Sequence, residues 1–377
     1  MKKAAALITI LALLLTNSGC AVKAPNRNSL GNETVSTLVS SGAPTKISSI
    51  PSKGNKPAGS EVPFSELAKK YDLVSIPTYD GSGQITHPKV LYFPSGWNGY
   101  KYWMSFTPYP DGVANYENPS MVVSNDLIHW KVPGSLKNPV SGIPTDVNYG
   151  GHYSDSHIVV HGKLMELWYR YDKGNKKTHH TDYSVDYYYR RTSSDGVHWS
   201  QPQLMQSSKG GILSLAVNYT GGEYEFWYTD YKHRLLHAES TNGTAWNHIS
   251  ACSLTLPKNY APWHQDVVQY NGEYYLLQTG INLSKYSFSL FLSHSPDGVH
   301  FTPGIPFYPS DNPMITKQAW LYRSTLLSQG DKFAMLIAVR FPDGRWYLMK
   351  SELPVSQFLQ QGQKPVILNQ QTKSQKL

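Results

Sequence analysis

The stretch Ser193–Trp199 reads "SSDGVHW", and near-copies stand at Ser124–Trp130 ("SNDLIHW"), Ser240–Trp246 ("STNGTAW") and Ser295–Phe301 ("SPDGVHF"). The closing aromatics Trp130, Trp199, Trp246 and Phe301 are 69, 47 and 55 residues apart. Asp-Gly and Asn-Gly make tight turns, because Gly accepts positive φ and the Asx side chain bonds the backbone ahead of it. The phrase therefore reads as punctuation closing a repeated unit. Its aromatic is expected to pack between neighbouring units, and no catalytic role falls to it.

Between the copies lie short runs rich in Tyr, Val and Leu, such as "YKYWMSF", "LMELWYRY", "EYEFWYTD" and "EYYLLQT". Gly-containing turns ("HGK", "TGGE", "NGE", "QGDK") bound them, which is a strand-and-hairpin pattern. Sustained helical period is nearly missing, apart from one or two turns near Ser65–Asp72. Repeats of this length with four strands each signal a β-propeller. A last set, "STLLSQGDKFAMLIAV…WYLMKSEL", adds a fifth unit, with "KSELPVSQF" in the place of the phrase. The expected fold is all-β, a five-bladed β-propeller, with blades starting near Ile85, Ser154, Leu213, His264 and Leu321.

Composition agrees: charged residues are 16% and aromatics 13% of the chain, with 27 Tyr and 10 Trp, which favours strands over helices. The net charge of +8 forms no basic stripe, and no phosphate loop or nucleic-acid motif appears, so nucleic acid is not an expected partner. The start, "MKKAAALITILALLLTNSGC", has a charged, then apolar, then small-residue order that reads as a secretory leader, residues 1–20. Its "SGC" resembles a lipoprotein cleavage box, with Cys20 the lipidated residue and Asn17 where an aliphatic is usual. The expectation is an extracytoplasmic protein, lipid-anchored to a bacterial membrane or else secreted. Residues 21–63 read as a flexible tether, 64–359 as the propeller and 360–377 as a polar tail. Cys252 then has no partner and reads as a buried small hydrophobe.

In a propeller the inner strand of each blade lines the axis, and its first residues open onto one face. Those residues are unusual here. They are His87 in "THPKV", Asp155 and His157 in "YSDSHIVV", Ser214 in "LSLAV", Trp263, His264 and Asp266 in "PWHQDVVQY", and Tyr322 and Arg323 in "WLYRSTLL". Glu117 and Asn118 open a later strand of the first blade. Polar groups at the start of buried strands need partners or a function. Glu117, Asp155 and Asp266 in one pocket can divide the acid and base work of glycoside hydrolysis, with His87 beside them. Arg323, His157, His264 and Asn118 would bind substrate, and Trp263, Tyr322, Trp97, Trp103 and Tyr116 offer rings for sugar faces.

Over residues 85–358 the five units, the "S-x-D-G-x-x-W" phrase and the acidic strand starts resemble the five-bladed glycosidase superfamily. That group includes family 43 arabinanases and xylosidases and the invertase and levansucrase families. The resemblance implies a base or nucleophile at the start of blade 1, an acid-tuning carboxylate in blade 2 and a general-acid Glu in blade 3. Asp155 fits the second slot, but His87 stands in the first and Ser214 in the third. The function read from the sequence is an extracytoplasmic, monomeric glycoside hydrolase acting on a poly- or oligosaccharide. A non-catalytic carbohydrate-binding lipoprotein is the alternative. A metal-dependent hydrolase or lyase using His87, His157, His264 and Asp266 is a third reading, although no H-E-x-x-H spacing supports a metal. No cofactor is expected, and the channel has room for a structural calcium.

Overall fold

The computed structural model describes residues 62–359 and 364–368. Five antiparallel sheets follow one another along the chain as blades. Their inner strands are Ile85–Trp97, His152–His161, Leu213–Thr220, Tyr260–Tyr270 and Thr325–Gln329. The expected blade starts lie within a few residues of these. The fifth blade differs most, since Trp320–Leu321 forms a separate short strand before its inner one.

Ring closure is the part without a local sequence signal. The outer strand of blade 5 is Leu73–Val74, which pairs with Met349 and Leu348 and so joins the two ends of the propeller. The helix Phe64–Tyr71 precedes it, covering the expected Ser65–Asp72 turns. It buries Leu67 and Tyr71, and its Phe64 and Tyr71 rings lie 4.9 and 5.5 Å from those of Tyr347 and Phe341. The tail also departs from expectation. Val366–Ile367 pairs in parallel with Phe307–Tyr308, adding a fifth strand to blade 4. The leader, Cys20 and the tether lie outside the described residues. Among those described, no helix is long and apolar enough to cross a membrane.

The repeated phrase is a staple between blades. Its Ser hydroxyl bonds its own Asp or Asn, whose Oδ1 accepts the two following backbone N–H groups, as at Ser193 and Asp195. The closing Trp donates its indole N–H back into the turn, to Leu127, Gly196 and Gly243. Both the closing aromatic and the Gly meet the preceding blade: Trp130 lies in one cluster with Leu336 and Ala338 of blade 5, and Phe301 in one with Trp227 of blade 3. A Cβ on Gly196 would lie 2.1 Å from the Trp103 ring of blade 1, one on Gly243 3.0 Å from Trp168 of blade 2, and one on Gly298 3.1 Å from Trp227 of blade 3. Blade 5 has no such Trp. There Leu127 takes the Gly position at φ 64° and packs in one cluster with Ala334 and Leu336.

A second repeated feature aims the side chains at the axis. The inner strands of blades 1 to 4 each carry a one-residue bulge, between Thr86 and Lys89, Ser154 and His157, Leu213 and Ala216, and Pro262 and His264. In the first three, the bulged residue is left-handed: His87 (φ 52°), Asp155 (φ 52°) and Ser214 (φ 55°). A bulge re-aims a side chain that regular pleating would send elsewhere. Left-handed backbone costs a non-Gly residue on the order of 1 kcal/mol, so the surroundings hold each in place.

Replacing Gly196 by Ala should destabilise the protein by about 2 kcal/mol or more, combining left-handed strain with overlap on Trp103. Gly162→Ala, at φ +61° with nothing within 4 Å of the added carbon, should cost only about 1 kcal/mol. Urea denaturation of the two variants checks the staple, and equal losses would refute it.

Candidate functional site

The bulges bring His87, Asp155 and His264 to the axis. One ligand-type atom from each lies within 4.8 Å of the others, and all three residues are buried. His87 Nε2 is 3.3 Å from Asp155 Oδ1, and His264 Nδ1 is 3.8 Å from the same oxygen. His87 Nε2, Asp155 Oδ1 and both ring nitrogens of His264 have no hydrogen-bond partner. Buried polar atoms are nearly always partnered, and a neutral His264 keeps a lone pair on one ring nitrogen, so this set of atoms fits a cation.

The surrounding groups fix these orientations. Asp155 Oδ2 accepts from Ser214 N–H at 2.8 Å and pairs with Arg170 Nε at 3.0 Å, which leaves Oδ1 for the axis. Burial alone would raise the Asp155 pKa, but Arg170 foremost, with His87, His264 and Arg323, holds it well below the carboxylate range. His87 Nδ1 meets Thr107 Oγ1 at 3.0 Å and Glu117 Oε2 at 3.3 Å. A proton on Nδ1 serves both acceptors and leaves the Nε2 lone pair facing inward, the arrangement that orients metal-bound histidines. Burial keeps His264 neutral, far below its usual pKa, against the pull of Asp155.

Glu117, Asp155, Asp172 and Asp186 are buried around the cluster, with Arg170, Arg323 and His152 as their buried basic neighbours. Arg170 bridges Asp172 at 3.1 Å and Asp186 at 3.5 Å, and His152 lies 3.3 Å from Asp172. Glu117 pairs with neither arginine nor lysine. Its Oε2 accepts from Ser154 Oγ at 2.5 Å and stands next to His87.

Several residues expected at the site take other positions. Asp266 is paired with Lys89 Nζ at 2.7 Å and accepts from Thr325 Oγ1 and Leu326 N–H. It ties blades 4, 5 and 1 together, and Lys89 already supplies the cation that a channel calcium at this residue would bring. Arg323, 1% exposed, donates to His157 Nδ1 and the Leu215 carbonyl, so it cannot reach a sugar. His157 Nε2 faces Val217, 3.0 Å from its carbonyl and 3.1 Å from its N–H. Asn118 is also buried, bonding Tyr79 Oη and the Asn115 carbonyl. Trp97 ends the strand that His87 begins and packs on Trp103 at the far hairpin. Trp103 is itself buried there, 1% exposed. Tyr322 and Trp263 do wall the site. Their rings lie 4.5 and 5.6 Å from His264, and Trp263 Nε1 donates to Tyr322 Oη. Arg170, Thr107 and Ser154 were missed, since inside strands they look like ordinary alternating residues. Cys252 sits by the Gly298 turn, its thiol pushed up to about 12 by burial.

No family model matches the chain. A stretch of 123 residues, 32% of the chain, is 35% identical to an A type blood N-acetyl-α-D-galactosamine deacetylase of Flavonifractor plautii. The chain spans 15% of that relative's length. The crystal structure of an N-acetylgalactosamine deacetylase from F. plautii, in complex with blood group B trisaccharide, superposes with a TM-score of 0.63 at 20% identity. It covers 76% of this chain and 95% of that one. A family 43 glycoside hydrolase of Bacillus licheniformis superposes at 0.51 with 13% identity, over 72% of this chain and 52% of that one.

Protonation should work against this axis. His157 and His264 are held neutral, mainly by burial. The unfolded chain takes up their protons below pH about 6.5, so folding loses about 1.4 kcal/mol per pH unit for each below that value. His152 acts oppositely: Asp172 outweighs burial and raises its pKa. Net stability should therefore fall between pH 7 and pH 5, and denaturation at both values checks the sign. Lys89→Met should cost about 3–5 kcal/mol by leaving Asp266 buried and unpaired, with Asp266→Leu recovering most of it. The chain thus carries the five-bladed propeller fold that the family 43 glycoside hydrolases share with this deacetylase.

Proposed function

We propose that the chain is a metal-dependent hydrolase of the acetamido group on amino sugars, an N-deacetylase. The observation that carries this reading is the unpartnered set of His87 Nε2, Asp155 Oδ1 and the His264 ring, converging within 4.8 Å. Two imidazoles and one carboxylate suit a first-row divalent ion such as zinc, manganese or iron(II), with positions left open for water and substrate. Such an ion, when bound, polarises a carbonyl oxygen and acidifies water. Arg170 and the Ser214 N–H hold Asp155 in its ligand orientation, and Thr107 and Glu117 hold His87 in its tautomer. Glu117 is the general base, taking a proton from the attacking water and returning it to the leaving nitrogen. The amide C–N bond breaks, acetate leaves and the sugar keeps the amine. Tyr322, Phe288 and Trp263 wall the site against bulk water. The 35% identical relative carries the same activity in its name.

Glycoside hydrolysis is the second reading, favoured by the shared propeller fold and by Glu117 and Asp155 on either side of His87. It has a physical weakness. Asp155 is held ionised by Arg170, and Ser214 stands where the resemblance implies an acid. The leader and Cys20 would place either activity on the outer side of a membrane, facing envelope or environmental glycans.

Elemental analysis should find about one divalent ion per chain. Its removal should abolish acetate release from N-acetylhexosamine glycans, and re-addition should restore it. His87→Ala, Asp155→Asn and His264→Ala should each lower acetate release at least a hundredfold with metal loss and a folded far-UV spectrum. Full activity in metal-free protein would overturn the proposal. Reducing-sugar release without acetate would establish the second reading.

A further inference from the structure

The exposed aromatic rings of this protein are confined to one face. Of its 27 tyrosines, three are exposed among the described residues: Tyr183 (58%), Tyr231 (39%) and Tyr286 (66%). No described Phe or Trp is exposed. Tyr183 lies near the start of the third strand of blade 2, and Tyr231 and Tyr286 lie in the loops before the third strands of blades 3 and 4. In an antiparallel meander, that end of each blade is also where its inner strand begins. All three rings therefore surround the mouth above His87, Asp155 and His264.

Two of the rings are held in position. Tyr231 Oη donates to the buried Asp186 Oδ1 at 2.7 Å and to the Tyr183 carbonyl at 3.3 Å, and its ring leans on Gly211, where a Cβ would come within 2.8 Å. This ties the Tyr183 backbone to the Tyr231 hydroxyl, and the two residues form the platform on the blade 2–3 side. On the other side Tyr286 stands edge-on to Phe288 at 5.8 Å and Trp320 at 6.1 Å. A run of ring contacts leads from there to the site: Trp320 to Phe288 at 5.3 Å, Phe288 to Tyr322 at 5.0 Å, Tyr322 to His264 at 4.5 Å. Arg340 lies over Trp320 at 4.4 Å. Exposed lysines accompany the rings: Lys176 and Lys177 in the blade 2 loop, Lys232 beside Tyr231 and Lys285 beside Tyr286.

An exposed ring loses little entropy on binding when it is already fixed, and its apolar face with a polar edge suits a pyranose. The rings are set apart on separate blades with charged residues between them, unlike the continuous apolar patch of a protein interface. We propose that an extended glycan strand crosses the mouth from the Tyr183–Tyr231 platform to the Tyr286–Trp320 platform. The residue that reacts would then lie within the strand, with sugars bound on both sides. This rests on the deacetylase reading for the reacting group, and the platforms are a separate claim about binding.

The test is calorimetric titration of the full, metal-loaded chain with two N-acetylated series, neutral chito-oligosaccharides and anionic hyaluronan oligosaccharides, of two, four and six residues. Affinity should rise at least tenfold from two to six residues in one series. Tyr183→Ala and Tyr286→Ala should each cost threefold or more for the hexasaccharide and little for the disaccharide, with unchanged melting temperature. Length-independent affinity, variants that bind like wild type, or no binding in either series would overturn the proposal. Metal content and acetate release, measured on the same samples, report the deacetylase reading separately.

Discussion

One extra residue in each of four inner strands determines what this propeller can do. A regular strand would alternate its side chains between the two faces of the blade. The bulges instead turn His87, Asp155 and Ser214 left-handed and bring them, with His264, to the axis. Repetition makes this geometry affordable. The same distortion recurs blade after blade, and each bulged residue is held by its neighbour, as Ser214 N–H holds Asp155.

The axis has two levels with different roles. Below, Lys89, Asp266, Arg323 and His157 form bonds among themselves and to backbone groups. They join the blades, and the polar atoms of His157 and Asp266 are partnered, whereas Arg323 Nε and Nη1 are not. Above, polar atoms of His87, Asp155 and His264 face one another without hydrogen-bond partners. Low dielectric strengthens paired groups and penalises unpaired ones, so the upper level is the costlier of the two. Residue type does not distinguish the levels, since each contains histidine and aspartate. Partnership does.

The outer part of the molecule shows a similar division. The Ser-x-Asp-Gly phrase and its interblade aromatic were legible, but the close approach of its Gly to the adjacent blade was not. The exchange of Gly for Leu127 answers the missing Trp in blade 5. Closure by Leu73–Val74 had no signal either, because two residues pairing across most of the chain leave no period to read. Val366–Ile367 was hidden for the same reason, inside a polar stretch.

The sequence by itself determined the five blades, since turn chemistry and strand period are local and repeat. It also determined that His87, Asp155 and His264 stand at strand starts facing the axis. Tertiary structure alone decided which polar residues share a level, because that depends on bulges, on Arg170 reaching Asp155 from the second strand of blade 2, and on Lys89 neutralising Asp266 across three blades. Lys89 and Asp266 are far apart in the chain, and Arg170 reaches Asp155 across a hairpin through the bulge, so no local pattern encodes either pairing. These pairings separate the groups that hold the propeller together from those left without a partner at the axis.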